Sequence, residues 1–306
     1  MSTMLRGAIY GLTAAAIWGA MYIISDIVLQ TIPPFTLLAI RLGMAVVILA
    51  LPRRGLHRRR PNRREILELL GVGLIGYGIS VGAQFVGTDR STGVNGALIT
   101  SASPAFILVF AALILRERLT AQRLAAVALA TVGVIVIIDP TKADFSSAAF
   151  FGNIALAVAA LTWGLYSVLV RRASARLDTT TVSFYALVGG WALTIPAAAL
   201  EMQTRPIGAI DADTILGVFY LGVVSTAAAM WLWNRAFALV DASVASLFFF
   251  AQPLVGAALG VALGQQLTPQ LIAGGLMIGL GVLVSMIAPE RLSRRFVKSA
   301  PQRVET

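Results

Sequence analysis

The sequence predicts an all-α integral membrane protein with ten transmembrane helices arranged as two inverted five-helix repeats. Three observations support this fold class: the composition, the alternation of basic residues between connections, and a set of matches between the two halves. Hydrophobic residues make up 58% of the 306 residues and charged residues only 12%, with a mean hydropathy of +0.84. Because a soluble domain needs a more polar surface, most of this surface must contact lipid.

Ten apolar runs, bounded by charged residues or by proline and glycine, fill nearly the whole chain. A helix needs roughly 20 apolar residues to cross the hydrocarbon layer. We place the helices at 7–28, 34–52, 65–88, 93–115, 121–139, 150–170, 180–200, 213–234, 242–264 and 270–288. The first run could pass for a secretory signal, but its length and the later spans indicate a membrane helix. No stretch is left for a soluble catalytic domain.

The basic residues indicate which way these helices run. Twenty of the 24 lie at the N-terminus, in the connections after the even-numbered helices, and in a basic tail at 289–306. Arg90, Lys142 and Arg205 lie in the other connections, and Arg41 lies inside a span. By the positive-inside rule both termini are cytoplasmic. The net charge of +10 therefore reflects topology and contact with anionic lipid, and we expect no nucleic-acid partner.

Short matches at a nearly constant offset relate residues 1–140 to residues 150–288. The matches include Trp18-Gly19 with Trp163-Gly164, Gly71-Val72 with Gly217-Val218, Pro104 with Pro253, and Gly133 with Gly281. Because five helices is an odd number, the second half must enter the membrane from the opposite face. Inverted repeats of this kind are typical of secondary transporters, which bind substrate near the midplane between the halves.

Several motifs also carry a family resemblance. They are the Trp-Gly pairs, the segment Ala39-Ile40-Arg41-Leu42, and the run Leu115-Arg116-Glu117-Arg118-Leu119-Thr120 leading to Gln122 and Gly133. On these residues the chain resembles the drug/metabolite transporter superfamily, in its EamA-type ten-helix branch. The second half departs from the family's usual glutamate, with Gln265 where the first half has Glu117. The resemblance implies a bacterial inner-membrane transporter, often an exporter of amino acids or related metabolites, with a cavity between the halves.

Polar and aromatic side chains within the spans are the candidates for a substrate site. Polar groups are unfavourable against lipid, so we expect them to face the bundle interior, where they line a cavity or join helices. Arg41 either binds a substrate carboxylate or an internal acidic partner, or it extends to the membrane interface. The substrate-binding candidates are Trp18, Tyr22, Arg41, Tyr77, Gln84, Asn95, Trp163, Tyr166 and Gln252.

Three further residues are candidates for the transport cycle. Glu117 is a candidate for proton coupling, although its neighbours Arg116 and Arg118 favour a permanent salt bridge at the interface. Pro104 and Pro253 interrupt matching helices and predict kinks, which either bend during gating or serve packing alone.

Other classes of function find little support in the composition. There is no cysteine, and the single histidine, His57, lies in a basic connection. Because a membrane-embedded lipid-modifying enzyme needs acids, bases or metal ligands at one depth, we expect no catalytic residue, metal or cofactor. A non-transporting scaffold stays open as an alternative and predicts no cavity between the halves. We expect a monomer in the lipid bilayer that exports a small-molecule substrate by alternating access, with amino acids, including aromatic ones, as the first class to test.

Overall fold

A computed structural model describes residues 1–51, 59–91, 96, 99–138, 146, 149–262 and 268–286. The described residues form helices and turns, with no β-strand among them. The helices are α1 (Thr3–Leu29), α2 (Pro34–Ala50), α3 (Arg63–Asp89), α4 (Ser103–Leu115), α5 (Ala121–Ile138), α6 (Phe150–Ser174), α7 (Thr179–Thr204), α8 (Ala212–Leu239), α9 (from Ala242 through Ala262) and α10 (Pro269–Met286). The chain is therefore all-helical where it is described, as the sequence predicts.

The lengths of these helices bear on how many can cross a membrane. Within the described residues, α3, α6, α7 and α8 are long and apolar enough to span the bilayer by themselves. Shorter apolar stretches, of 10–17 residues, lie in α2, α4, α5, α9 and α10. Several helices also run past their predicted ends, since α1 begins at Thr3 and α8 continues to Leu239. In both cases the helix continues past an arginine, Arg6 or Arg235, that bounds the apolar run.

Side-chain caps explain where several helices begin. The side chain of Asn62 accepts a hydrogen bond from the Glu65 backbone N–H, and the Glu65 carboxylate accepts one from the Asn62 N–H. Asp178 and Asp211 cap α7 and α8 in the same way, each accepting from a backbone N–H three residues later. Such caps supply acceptors to the unpaired N–H groups of a first helical turn.

Two helices contain a π-helical segment at corresponding places. In α3 it covers Leu74–Ser80, and in α8 it covers Tyr220–Ala228. The two segments begin 146 residues apart, which is the offset between Gly71-Val72 and Gly217-Val218. A π-helical segment displaces backbone carbonyls from the regular ladder, and such segments are frequent at functional sites. Both segments lie beside the cavity described below.

Glycines allow two pairs of helices to approach backbone to backbone. A Cβ atom added to Gly73 of α3 would lie 1.7 Å from the Ala186 carbonyl oxygen of α7, and one added to Gly189 would lie 2.1 Å from the Leu70 oxygen. The α5 and α10 helices cross in the same manner at Gly133 and Gly281. These two helices pack mainly against each other and α9, around a small separate core. The remaining helices surround the main core and the cavity.

Candidate functional site

A narrow cavity lies inside the bundle, where helices from both halves of the chain meet. Its volume is about 40 Å³. Pockets that hold a drug-sized ligand have volumes of roughly 300–1,000 Å³, so this cavity is too small for such a ligand as it stands. It is lined by Trp18, Met21, Arg41, Ser80, Val81, Gln84, Thr100, Ser103, Ala159, Trp163, Met230, Phe249 and Gln252. Five of the predicted substrate-binding residues are thus brought together: Trp18, Arg41, Gln84, Trp163 and Gln252.

Arg41 is buried in the wall of this cavity with only 1% of its surface exposed. Its Nε donates to Thr226 Oγ1 at 3.1 Å and to the Leu221 carbonyl oxygen at 3.3 Å. Nη2 lies 3.5 Å from the sulfur of Met21, and the guanidinium carbon lies 5.5 Å from the centre of the Phe85 ring. The side chain therefore points into the bundle against α8.

The guanidinium of Arg41 is nevertheless incompletely paired. Within the described part of the chain, its Nη1 atom has no hydrogen-bond partner and no carboxylate forms an ion pair with it. A charged side chain at the centre of a membrane helix costs about 2.5–3.5 kcal/mol on insertion scales. Arg41 thus carries a positive charge beside the cavity that the described protein groups do not neutralise.

The π-helical segment of α8 supplies the groups that hold Arg41 in place. The Leu221 carbonyl oxygen accepts from Thr226 Oγ1 at 2.6 Å as well as from Arg41. The Ser225 carbonyl oxygen accepts from the indole Nε1 of Trp18 at 3.0 Å. Since a regular α-helix offers few carbonyls for such bonds, the local widening of α8 is what positions both side chains.

Three tryptophans form an aromatic cluster next to Arg41. The Trp18 ring centre lies 5.6 Å from that of Trp163 and 5.3 Å from that of Trp233. The indole N–H groups of Trp18 and Trp233 donate to the Ser225 carbonyl and the Ser167 hydroxyl. Trp163 Nε1 is buried without a partner. Buried indole N–H groups are usually hydrogen-bonded, so Trp163 is the unusual member of the cluster.

Gln252 adds an acceptor to these unpaired donors. It is 7% exposed, and its Oε1 atom is buried without a partner. Arg41 Nη1, Trp163 Nε1 and Gln252 Oε1 thus all belong to residues that line one cavity. An unsatisfied buried polar group costs about 1–3 kcal/mol. The cavity is therefore ready to bind water or a ligand that has both acceptor and donor groups.

Tyr77 and Tyr166, two other predicted binding residues, lie outside the cavity lining. Their hydroxyls hydrogen-bond to each other, and Tyr166 also donates to Asn234 Oδ1 at 2.9 Å. Asn234 Nδ2 donates in turn to the Ser183 hydroxyl at 2.9 Å. Because the Tyr166 ring lies 5.1 Å from the Trp163 ring, this network supports the aromatic wall from behind.

The other predicted residues fall into two groups. Asn95 lies outside the described residues, as does the side chain of Tyr22. Pro104 is the second residue of α4, which follows a turn at Ser101 and Ala102. Pro253 lies in the first turn of Ala251–Ala262, directly after a 3-10 segment. The residue before each proline, Ser103 or Gln252, lines the cavity.

Glu117 lies in an ion-pair network at one end of the bundle, which we call the clasp: Glu117, Arg123, Arg171 and Asp241. Its side chain, 9% exposed, lies 3.3 Å from Arg171 Nε and 3.8 Å from Arg123 Nη1. Asp241 pairs with the same arginines at 3.0 Å and 2.6 Å. Glu117 also accepts from the Ala242 and Ser243 N–H groups at the start of α9. The clasp therefore joins ends of α4, α5 and α6 to the start of α9, across the two halves.

Sequence reasoning missed the apolar and hydroxyl residues of the lining. Met21, Val81, Ala159, Met230 and Phe249 look like ordinary core or lipid-facing residues in any apolar helix. The missed hydroxyl residues are Ser80, Thr100 and Ser103. One signal was present, because Ser80 and Thr226 lie at the same 146-residue offset and both contribute to this region.

Comparisons with known proteins agree with this architecture. A profile of the EamA-like transporter family matches residues 5–139 and again residues 150–287. "Uncharacterized transporter YcxC" of Bacillus subtilis is 26% identical over 285 residues, covering 90% of this chain and 91% of that protein. "Probable amino-acid metabolite efflux pump" of Salmonella typhimurium is 24% identical over 293 residues, covering 90% and 93%. A solved crystal structure with 22% identity has a TM-score of 0.78 and covers 95% of this chain and 98% of its own, so the fold is shared.

Proposed function

The chain belongs to the EamA-like transporter family, and from this premise we propose that it exports small metabolites across a bacterial inner membrane. Amino acids, including aromatic ones, are the first class to test. The cavity between the two halves carries this proposal, because it combines aromatic surface with unpaired hydrogen-bonding groups. The amino-acid efflux pump named among the relatives supports the same class.

We further propose a membrane topology in which all ten helices cross the bilayer and both termini are cytoplasmic. In this topology residues 1–140 and 150–288 form inverted repeats. The separate match of the family profile to each half supports the repeat, as do the two π-helical segments 146 residues apart. The clasp then lies at the cytoplasmic end, where the arginine-rich connections are.

Alternating access follows from this arrangement. A cavity of about 40 Å³ cannot hold an amino acid, so the two halves must move apart for substrate to bind. The clasp joins the halves at the proposed cytoplasmic end and must open for substrate to come in from that side. Substrate export then alternates between a state with the clasp formed and one with the clasp broken.

The cavity disfavours the alternative function, a non-transporting scaffold. A scaffold requires only well-packed helices, and it has no reason to leave a guanidinium, an indole N–H and an amide oxygen unpaired at one place. A membrane-embedded enzyme would need acidic, basic or nucleophilic groups together, whereas Arg41 is the one ionisable side chain of the described lining.

Counterflow in proteoliposomes tests the proposal. Purified protein is reconstituted with a panel of labelled amino acids, and Trp163→Ala is compared with Trp231→Ala. Trp231 is the matched control, because it belongs to α8 but lies outside the cavity lining, where its indole donates to Thr180. We expect saturable counterflow that Trp163→Ala reduces about tenfold, from the loss of aromatic stacking, and that Trp231→Ala preserves. Absence of saturable flux from folded protein across the panel would favour the scaffold.

A further inference from the structure

We infer that Arg41 binds a carboxylate of the substrate, and that the transported class is small carboxylates bearing a hydrogen-bond donor near the carboxylate. The donor is either an amino or a hydroxyl group. This role for Arg41 rests on the proposed transport function and narrows it. The site therefore accepts hydroxy acids as well as amino acids, and it rejects amines that lack a carboxylate.

The first support is the charge of the lining. Arg41 contributes a positive charge, and the described residues around the cavity include no aspartate or glutamate. A free ammonium group would meet an uncompensated like charge in a medium of low dielectric constant, whereas a carboxylate would neutralise it. Guanidinium groups also bind carboxylates through parallel N–H bonds, and Arg41 has an unused nitrogen for this purpose.

The second support is the distribution of unpaired atoms. Six buried side-chain atoms of the described residues lack a partner, and three of them are on residues that line the cavity: Arg41 Nη1, Trp163 Nε1 and Gln252 Oε1. The other three are hydroxyls of Ser25, Ser174 and Ser225. Two donors and one acceptor on one lining match a carboxylate with a neighbouring donor group. Since the acceptor is the oxygen of a neutral amide, it can accept from either an ammonium or a hydroxyl.

The third support is the start of α4 at the cavity. Ser103, the first residue of this 13-residue helix, lines the cavity. The N-terminal end of a helix carries partial positive charge and favours anions. Together with the unpaired Arg41 nitrogen, this makes the cavity an anion-binding site built from residues of both halves.

The test uses two matched series of compounds with the purified full chain. One series is tryptophan, indole-3-lactate, tryptophanamide and tryptamine; the other is leucine, 2-hydroxyisocaproate, leucinamide and isopentylamine. Binding is measured by isothermal titration in detergent, and transport by counterflow in proteoliposomes. We expect the amino acid and the hydroxy acid of at least one series to bind at least about tenfold more tightly than the amide and the amine.

Variants assign the selectivity to Arg41. Arg41→Gln should abolish the preference for carboxylates, while Arg41→Lys should retain part of it. Trp163→Phe keeps an aromatic ring at this position but replaces the indole, with its unpaired N–H, by a smaller phenyl group, so it should weaken carboxylate binding about threefold or more. Melting temperature and size-exclusion chromatography show whether Arg41→Gln folds. If it does not fold, Trp163→Phe still tests whether the unpaired donors of the cavity bind the carboxylate.

Failures of the two proposals differ in their results. Equal binding of amine and amino acid, an unchanged preference in Arg41→Gln, or no binding of any carboxylate would each overturn the role of Arg41. Unchanged carboxylate binding in Trp163→Phe would overturn the carboxylate site that Arg41 and Trp163 form together. Transport of the amines alone would do so while preserving the transport function. Selective binding of carboxylates without any counterflow would overturn the transport function and leave the anion-binding site unaffected.

Discussion

Replacing Glu117 by glutamine should open the proposed cytoplasmic end of the bundle. The substitution preserves shape while removing the charge that Arg123 and Arg171 face at 3.8 and 3.3 Å. It also places an amide N–H₂ where a carboxylate oxygen accepts from the Ser243 backbone N–H at 3.1 Å. If the clasp forms only while that end is closed, its weakening lowers the population of the closed state.

The contacts of Glu117 contribute unequally to the closed state. A hydrogen bond to a charged group contributes about 1.5–3 kcal/mol, and one such backbone bond is lost outright. The ion pairs contribute less, because Arg123 and Arg171 are 17% and 25% exposed and both keep Asp241 as a partner. A total of about 2 kcal/mol corresponds to a shift of about 30-fold in the equilibrium between closed and open states.

Thiol labelling provides the assay, since the chain contains no cysteine. A single Ser103→Cys in the cavity lining is labelled with a membrane-impermeant reagent from each face of oriented vesicles. Glu117→Gln should raise the rate of labelling from the proposed cytoplasmic face, which bears the arginine-rich connections, at least about tenfold. Glu68→Gln is the matched control, because Glu68 pairs with Arg176 at 2.9 Å near the same face with both side chains exposed by 39% and 48%. Such pairs contribute about 0–1 kcal/mol. An unchanged rate in Glu117→Gln, or an equal rise in Glu68→Gln, would refute a gating role for the clasp.

Two other predictions concern the backbone. Arg116 has φ = 57°, a left-handed conformation that disfavours residues with a Cβ atom. Arg116→Gly should therefore raise the free energy of unfolding by about 1 kcal/mol, measured by thermal unfolding. A lowered melting temperature would contradict this prediction. Gly73→Ala should prevent α3 from packing on α7, because the new Cβ would lie 1.7 Å from the Ala186 oxygen, whereas Gly71→Ala meets nothing within 4 Å and should fold normally. Size-exclusion chromatography of the two alanine variants checks the contrast, and equal yields of monodisperse protein would show that the close approach is not required.

The helices and part of the site could be predicted because both depend on local chemistry. Apolar length sets where a helix can cross lipid, and a polar side chain such as Trp163 or Gln252 in an apolar helix must face inward. Tyr77 and Tyr166 satisfy the same rule differently, since their hydroxyls meet at one depth and bond to each other. No pattern in either helix alone predicts that pairing.

The rest of the site depends on how helices meet. Ser80 and Met230 become lining residues only because α3 and α8 come together around the cavity. The carbonyls that hold Arg41 and Trp18 are exposed by the π-helical segment of α8, which hydropathy does not detect. Glu117 could be predicted as charged and interfacial from its neighbours, but its partners Arg171 and Asp241 come from the other half of the chain.

Alternating access of the cavity is tested most directly by substrate protection of Ser103→Cys in oriented proteoliposomes. The same cysteine should be labelled from both faces of the membrane, and a substrate identified by counterflow should slow labelling from each face. Labelling from one face only, or labelling that the transported substrate leaves unchanged, would contradict a central substrate site exposed alternately to the two sides.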